Sequence, residues 1–234
     1  MGFTKIDNIE TIQSLAQIID EIIFSLDRDY YLFFFNKDKF LENDWYIAPI
    51  DELRLVFDPE IIELAFFSEE NNQEEIQKIF DHQYIAQDLL IDRFLALVLS
   101  NNPKLNTFFA VPGSIDMMLE GTLLPFEISL DFESVKHFLS QNVISDYFLF
   151  APMPSFFWYI AFDWYDGFFI GTKSQINFVF DSDPATIISR LDSITNNIKI
   201  KSDYNVYEKN LLKSLSSKCK EISFLVNQKE NTQI

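Results

Sequence analysis

Four aspartates in the second half of the chain have the residue type and spacing that a catalytic or metal site needs. They are Asp163, Asp166, Asp181 and Asp183. If residues 156–163, 167–172 and 176–180 form an antiparallel meander, the first and third strands run the same way and end at one edge of the sheet. That edge then gathers all four carboxylates, which can bind a divalent cation through oxygen ligands. Alternatively, one carboxyl with a raised pKa can act as a general acid.

The same aspartates also have a purely structural explanation. Asp and Gly are favoured turn residues, so the segment 163–167 (DWYDG) is typical of a tight connection between strands. Asp183 precedes Pro184, which is the usual arrangement of a helix N-cap and a first helical position. The carboxylate edge therefore supports a hydrolase, with a divalent cation as its cofactor, only as an alternative function. The leading interpretation needs no cofactor.

Two aromatic pairs beside carboxylates are candidate partner contacts. The pairs are Trp164 with Tyr165, and Trp45 with Tyr46. The first pair lies in the predicted turn and the second in a predicted loop at residues 43–49. Trp and Tyr are common anchors in protein interfaces. For the many aromatic residues of 156–169, the favoured interpretation is a core between two helical layers, since alternate strand residues face opposite sides.

Motifs for other kinds of chemistry are absent from the sequence. The five glycines form neither of the standard phosphate-binding loops. His82 and His137 are the only histidines, and neither belongs to a zinc-protease motif. A single cysteine cannot make a cysteine-based zinc site. Cys219 lies on the apolar side of the predicted last helix, which favours a buried core residue over a nucleophile.

The chain is strongly acidic, and the charge is unevenly distributed. It has 18 Lys and Arg against 36 Asp and Glu, a net charge of -18. Residues 199–234 contain seven Lys and four acidic residues, a net charge of +3, which leaves -21 on the rest. This balance argues against binding a nucleic-acid phosphate backbone, which needs clustered Lys and Arg. It favours a basic protein as partner. The simplest role of the basic last segment is to dock on the acidic body or to relieve its self-repulsion.

The sequence favours a cytoplasmic location. Residues 1–13 contain no apolar signal core, and no apolar run reaches the ~20 residues of a membrane helix. The longest run, residues 147–162, contains two prolines and is typical of strands. One cysteine cannot form an intramolecular disulfide, so this is not a secreted disulfide scaffold. We therefore expect no membrane association.

Several segments have apolar residues at helical spacing. They predict helices at residues 8–27, 73–100, 132–141, 185–194 and 207–228, and shorter ones after Asp58-Pro59 and at 114–120. A break near Asp81-His82 would divide the second of these helices. Continuous apolar and aromatic runs predict strands instead. These runs are residues 30–35, 53–57, 107–111, 146–150, 156–163, 167–172 and 176–180.

These elements predict an α+β fold with a mainly antiparallel, aromatic-rich sheet flanked by amphipathic helices. Short connectors between the last four strands are typical of a meander over about residues 146–180. No internal repeat or Ser/Gly-rich linker divides the chain, so we expect one domain over residues 1–234. A weak subdivision near the polar segment 68–75 is the alternative.

The leading functional hypothesis is an acidic binding protein that engages a basic partner through carboxylates and aromatic residues. The composition resembles that of small bacterial or phage immunity proteins and of inhibitors that mimic DNA, although no motif assigns a family. The alternatives are a carboxylate- or metal-dependent hydrolase at residues 163–183, and a structural protein that forms homo-oligomers.

Overall fold

The computed structural model describes residues 2–27, 32–49, 73–141, 146–160, 167–197 and 203–232. Within these ranges lie nine strands and eight helices. The strands are β1 (Phe3–Lys5), β2 (Ile23–Asp27), β3 (Leu32–Phe35), β4 (Trp45–Pro49), β5 (Thr107–Pro112), β6 (Phe126–Ser129), β7 (Tyr147–Phe150), β8 (Phe157–Ile160) and β9 (Gly167–Thr172). The helices are α1 (Ile9–Asp20), α2 (Lys37–Asn43), α3 (Gln73–Asn101), α4 (Ile115–Leu119), α5 (Phe132–Gln141), α6 (Lys173–Phe180), α7 (Pro184–Asn197) and α8 (Asp203–Thr232).

Seven of these strands form one sheet in the order β1-β6-β5-β7-β8-β9-β4, and every neighbouring pair is antiparallel. Strands β2 and β3 form a separate antiparallel hairpin. The predicted α+β fold with an antiparallel, aromatic-rich sheet is confirmed. The meander is confirmed for β7, β8 and β9, where Phe148 pairs with Tyr159 and Tyr159 pairs with Phe168.

One face of the sheet is covered by the β2–β3 hairpin and α2. The Tyr159 ring stacks on Phe168 with 4.6 Å between ring centroids, and Phe168 meets Phe35 of β3 edge-on at 5.7 Å. Phe35 in turn contacts Phe40 of α2 at 5.3 Å. These rings are buried, so this face of the meander belongs to the core.

Other helices cover the opposite face. The neighbours of Tyr159 and Phe168 in the strands point the other way and contact these helices. The Trp158 ring lies 5.3 Å from that of Phe94 in α3, and the Phe169 ring lies 6.0 Å from that of Phe180 in α6. Further along the sheet, Phe126 packs against Phe138 of α5 at 5.3 Å. Because consecutive strand residues point to opposite sides, a strand with large apolar residues throughout needs cover on both faces. The interpretation of the aromatic segment as core is confirmed for its described residues, although one of the two expected helical layers consists partly of the β2–β3 hairpin.

Several predicted elements have the wrong type or the wrong end. The first helix ends at Asp20, and residues 23–27 form strand β2. Residues 43–49 were expected to be a loop, but β4 occupies most of them and pairs with β9. Strand β6 was not expected. Helix α3 is continuous through Asp81-His82, so the expected break is absent.

The expected strand at residues 176–180 is wrong, because these residues belong to helix α6. The backbone N–H of Gln175 donates to the Thr172 hydroxyl oxygen, and the backbone N–H of Thr172 donates to the side-chain oxygen of Gln175. These two hydrogen bonds form a capping box at the start of α6. Ile176, Val179 and Phe180 are the buried residues of this helix. Their spacing is helical, but a short apolar run of this length fits both types of structure.

Parts of the prediction lie outside the described residues. They include the strand at 53–57, the helix after Asp58-Pro59, residues 30–31 of the strand at 30–35, and residues 68–72 of the polar segment. Residues 73–75 of that segment are the first turn of α3. No helix in the described part of the chain is both long and apolar enough to cross a membrane.

The basic last helix docks on the acidic body, as its charge predicts. Lys220 lies 2.5 Å from a carboxylate oxygen of Asp192 in α7, and Lys229 lies 2.7 Å from Asp44, which follows α2. Glu221 of the same helix pairs with Lys37 of α2. Between these polar contacts the helix buries the apolar residues Cys219, Ile222 and Val226 in the core. Charge and apolar burial therefore hold α8 in the same position.

Replacing Gly167 by Ala is expected to destabilise the sheet. A Cβ atom at this position would lie 2.2 Å from the backbone oxygen of Tyr159, so β8 and β9 would have to separate. We expect the free energy of unfolding to fall by about 2–3 kcal/mol, at the upper end of the cost of overpacking. Urea denaturation measures this. Gly113→Ala is the control, because its nearest neighbour, Asp146 Cβ, is 3.2 Å away. Equal losses in both variants would contradict this explanation.

Candidate functional site

The structure gives Asp181 a role at the end of a helix. It is the C-cap of α6 with φ 50°, in the left-handed region. The guanidinium of Arg93 in α3 donates to the Asp181 carboxylate at 2.5 Å and to the carbonyl oxygen of Val179 at 2.7 Å. One arginine thus satisfies a free carbonyl in the last turn of α6 and pairs with the residue that ends it. This contact fixes α6 to α3.

Asp183 caps the next helix. Its carboxylate accepts hydrogen bonds from the backbone N–H of Thr186 at 2.9 Å and from the Thr186 hydroxyl at 3.1 Å. The backbone hydrogen bond from Thr186 is the largest cause that lowers the pKa of Asp183 below its usual value, against a smaller opposing effect of burial. The capping explanation of Asp183 and Pro184 is therefore confirmed.

The sheet edge that was expected to gather four carboxylates does not form with the predicted strands. It required residues 176–180 to be a strand, and they are the helix α6. Asp163 and Asp166 lie outside the described residues, as do Trp164 and Tyr165. In the part of the chain that the structure describes, no group of three or more His, Cys, Asp or Glu side chains is placed to hold a metal ion. A metal site that includes Asp163 and Asp166 stays a prediction.

Trp45 and Tyr46 are not an exposed pair. They lie in β4, and only 6% of Trp45 and 2% of Tyr46 is accessible to solvent. The Trp45 indole N–H donates to the carbonyl oxygen of Ser155 at 2.9 Å, and the Tyr46 hydroxyl donates to the Asn227 side chain in α8 at 2.9 Å. The expectation of an exposed loop is wrong, because β4 pairs with β9 and is covered by α2, α7 and α8. Partner binding by these residues is not tested.

The candidate nucleophile and bases also have structural positions. Cys219 is fully buried, and burial raises the pKa of its thiol to about 12, so the thiolate that would react is scarce. The core interpretation of Cys219 is confirmed. His137 is exposed on α5, with its ring 5.4 Å from that of Phe3. His82 lies within α3, and its side chain is outside the described residues.

Two groups stand out among the carboxylates of the described residues. The first group is engaged in ion pairs and consists of Glu21, Glu42, Asp44, Asp88, Asp181, Asp192 and Glu221. A second group is exposed and forms no ion pair with any described residue. Five members of the second group lie just before or in the first turn of α1, in or directly after α4, and in β6, and we call these five the acidic surface. They are Asp7, Glu10, Asp116, Glu120 and Glu127.

Backbone contacts bring the elements of the acidic surface together. The N–H of Ile6 donates to the carbonyl oxygen of Pro125 at 2.9 Å, which joins the segment before α1 to the loop after α4. Helices α1 and α4 also pack against each other. Thr4 of β1 is the direct partner of Glu127 in β6. Consecutive strand residues face opposite sides, so Lys5, the residue after Thr4, lies on the other face of the sheet from Glu127.

Two exposed apolar side chains belong to residues next to these carboxylates in the chain. Ile9, between Asp7 and Glu10 in the chain, is 57% exposed, and Leu119, next to Glu120, is 46% exposed. The sequence pattern places Ile9 on the apolar face of the first helix, but Ile12 is the first residue of α1 to be buried. Carboxylates around accessible apolar groups can attract a basic surface and also offer it apolar contacts.

Sequence reasoning missed the acidic surface, although one signal for it was visible. Residues 105–135 contain five acidic residues and no Lys or Arg. The sequence does not show that this segment contacts Ile6 and helix α1, because this contact depends on the packing of α1 against α4. Which of the described carboxylates form ion pairs and which do not also follows only from the fold.

The comparisons with known proteins give no relative. No protein-family model, no curated protein and no solved structure matches this chain. The case for a function therefore depends on the arrangement of the residues themselves.

Acid is expected to weaken the fold through Asp183. The pKa of Asp183 in the folded protein is below its ordinary value of 3.8. The ionised carboxylate therefore stabilises the fold fully above pH 3.8, and this contribution is lost as the pH falls through the pKa of the folded state. Asp183→Asn keeps a capping side chain and should reduce the loss of stability between about pH 5 and pH 2, as measured by thermal melting. Asp183→Ala should cost about 1 kcal/mol at neutral pH. Identical acid profiles for the wild type and Asp183→Asn would contradict this role.

Cys219 is expected to be unreactive in the folded protein. Its burial and raised pKa predict that a thiol reagent at pH 8 reacts with it at least about 100-fold more slowly than with the urea-unfolded chain. The colour released from an aromatic disulfide reagent measures both rates. Fast reaction of the folded protein would show that α8 does not shield this thiol.

Proposed function

We propose that this protein is a non-enzymatic, cytoplasmic binding protein that engages a basic protein through its acidic surface. The observation that carries the proposal is the set of five exposed carboxylates, none in an ion pair with a described residue, on the same elements as the exposed Ile9 and Leu119. Glu127 accepts a hydrogen bond from the Thr107 hydroxyl, which leaves its negative charge in place. Elsewhere the lysines of α8 and α2 neutralise carboxylates within the chain. The acidic surface lacks such internal partners among the described residues.

Binding to a basic partner would combine long-range electrostatic attraction with short-range apolar contacts. Five like charges on adjoining elements increase the rate at which a cationic surface finds this one, and the rate decreases as salt rises. Charges at the rim contribute modestly to affinity. Apolar groups that become buried contribute more, because each Å² of apolar area removed from water gives about 25 cal/mol. The expected partner therefore has Lys and Arg around an apolar contact.

The alternative functions have weaker support. The hydrolase required a strand that is a helix, and its two described aspartates already accept hydrogen bonds from Arg93 and Thr186. A homo-oligomer that buries the aromatic sheet would need an accessible face, but the described rings of the meander are already covered by helices and the β2–β3 hairpin. A homo-oligomer that buries the last helix is the other form of this alternative, and the exposed side chain of Phe224 in α8 supports it.

The test compares two variants that lose the same number of charges. The acidic-surface variant carries Glu10→Gln, Asp116→Asn and Glu120→Gln. The control variant carries Asp38→Asn, Asp92→Asn and Glu133→Gln, which are also exposed carboxylates. Each triple change raises the net charge by three, and each includes two residues in the first turns of helices. The two variants therefore have the same overall charge and the same number of changes in first turns of helices, so these effects cannot explain a difference in binding.

Immobilised wild-type protein and both variants are incubated with extract of the source cells at low salt and eluted with a salt gradient. We expect the wild type and the control to retain the same basic protein, identified by mass spectrometry. With that protein purified, the acidic-surface variant should show at least about a tenfold weaker Kd, mainly through slower association. Equal binding by both variants, or retention of no basic protein, would contradict the proposal.

A further inference from the structure

The loop between β7 and β8 carries the most accessible apolar side chain among the described residues. Met153 is 81% exposed. It stands between Pro152 and Pro154, whose rings restrict the backbone on both sides. The loop is held at its far end by Ser155, whose carbonyl oxygen accepts the indole N–H of Trp45. The Met153 thioether is thus presented to solvent by a segment that is fixed on the sheet.

The other described sulfur-containing residues are less exposed. Met118 in α4 is only 1% exposed, and its neighbour Met117 is half-buried. Cys219 is the residue type that peroxides usually attack first, through its thiolate. Here the thiol is buried, and its pKa is raised to about 12. Burial thus removes the usual first target, and Met153 is the methionine that is exposed in the part of the chain that the structure describes.

We propose that Met153 is the preferred site of oxidation by peroxides among the described residues, and that a methionine sulfoxide reductase can reverse the change. The sulfur lone pair attacks one peroxide oxygen, an S–O bond forms and the O–O bond breaks. The other oxygen takes up a proton and leaves as water or an alcohol. The sulfur loses two electrons and the peroxide gains them. In the reverse step two thiols supply the electrons, form a disulfide and release the sulfoxide oxygen as water.

The fold should tolerate this change. Oxidation converts an apolar side chain into a polar one, which is disruptive where methionine is packed in a core. At a position that is 81% exposed there is little packing to lose. This inference is independent of the proposed partner, since Met153 is not part of the acidic surface.

The experiment treats the full-length protein with dilute hydrogen peroxide and follows oxidation at Met117, Met118 and Met153 by peptide mass spectrometry. We expect Met153 to be oxidised at least roughly tenfold faster than Met118, with Met117 intermediate. In urea the three rates should converge. The melting temperature of the protein oxidised at Met153 should be unchanged. Methionine sulfoxide reductases for both sulfoxide epimers, with dithiothreitol, should return the peptide to its original mass.

The Met153→Leu variant provides the control. It should fold normally, since the side chain is exposed, and the rates at Met117 and Met118 should not change. Oxidation of Met118 or Cys219 in the folded protein as fast as that of Met153 would overturn the proposal. So would a Met153 rate well below the rate in urea, or a sulfoxide at Met153 that the reductases cannot remove.

Discussion

The need to cover an aromatic sheet on both faces determines most of this structure. Strands β7, β8 and β9 have large apolar residues at nearly every position. Because neighbouring residues point to opposite sides, neither face can be left to water. Phe35 and Phe40 close one face, while Phe94 and Phe180 close the other. Many of these contacts are edge-to-face, an arrangement that adds roughly 0.5–1.5 kcal/mol per pair to the effect of burial.

The helices that provide this cover are positioned by a repeated polar contact. Helices α2 and α6 both end in an aspartate with a positive φ, Asp44 and Asp181. In each case a cation from another helix bonds this aspartate and a carbonyl oxygen of the last turn: Lys229 for the first and Arg93 for the second. A left-handed aspartate is unfavourable in isolation. The cation helps to offset this cost and also fixes the angle between two helices.

Much of the fold could be predicted from the sequence because its signals are local. Helix α5 and strand β9 follow directly from residue type and spacing, and Asp183 with Pro184 marks the start of α7. The failures occurred where a local pattern fits two structures. Residues 176–180 are apolar enough for a strand, but the capping box at Thr172 selects a helix. The sequence predicts a loop for Trp45 and Tyr46 because their burial depends on β9 and, for Tyr46, on Asn227, which is 181 residues further along the chain.

The candidate site was harder to predict, because it depends on which charges remain unpaired. A net charge of -18 keeps an aromatic-rich protein soluble wherever the charges lie, so solubility alone gives no reason for a particular distribution. The observed distribution is uneven. Asp192, Glu221 and Asp44 are paired with lysines and hold α8 in place, whereas the acidic surface joins Glu10 and Glu120 on elements that pack together. Like charges on adjoining elements weaken the folded state. Solubility would be obtained equally well by spreading them, so their clustering beside Ile9 and Leu119 favours a contact with a basic partner.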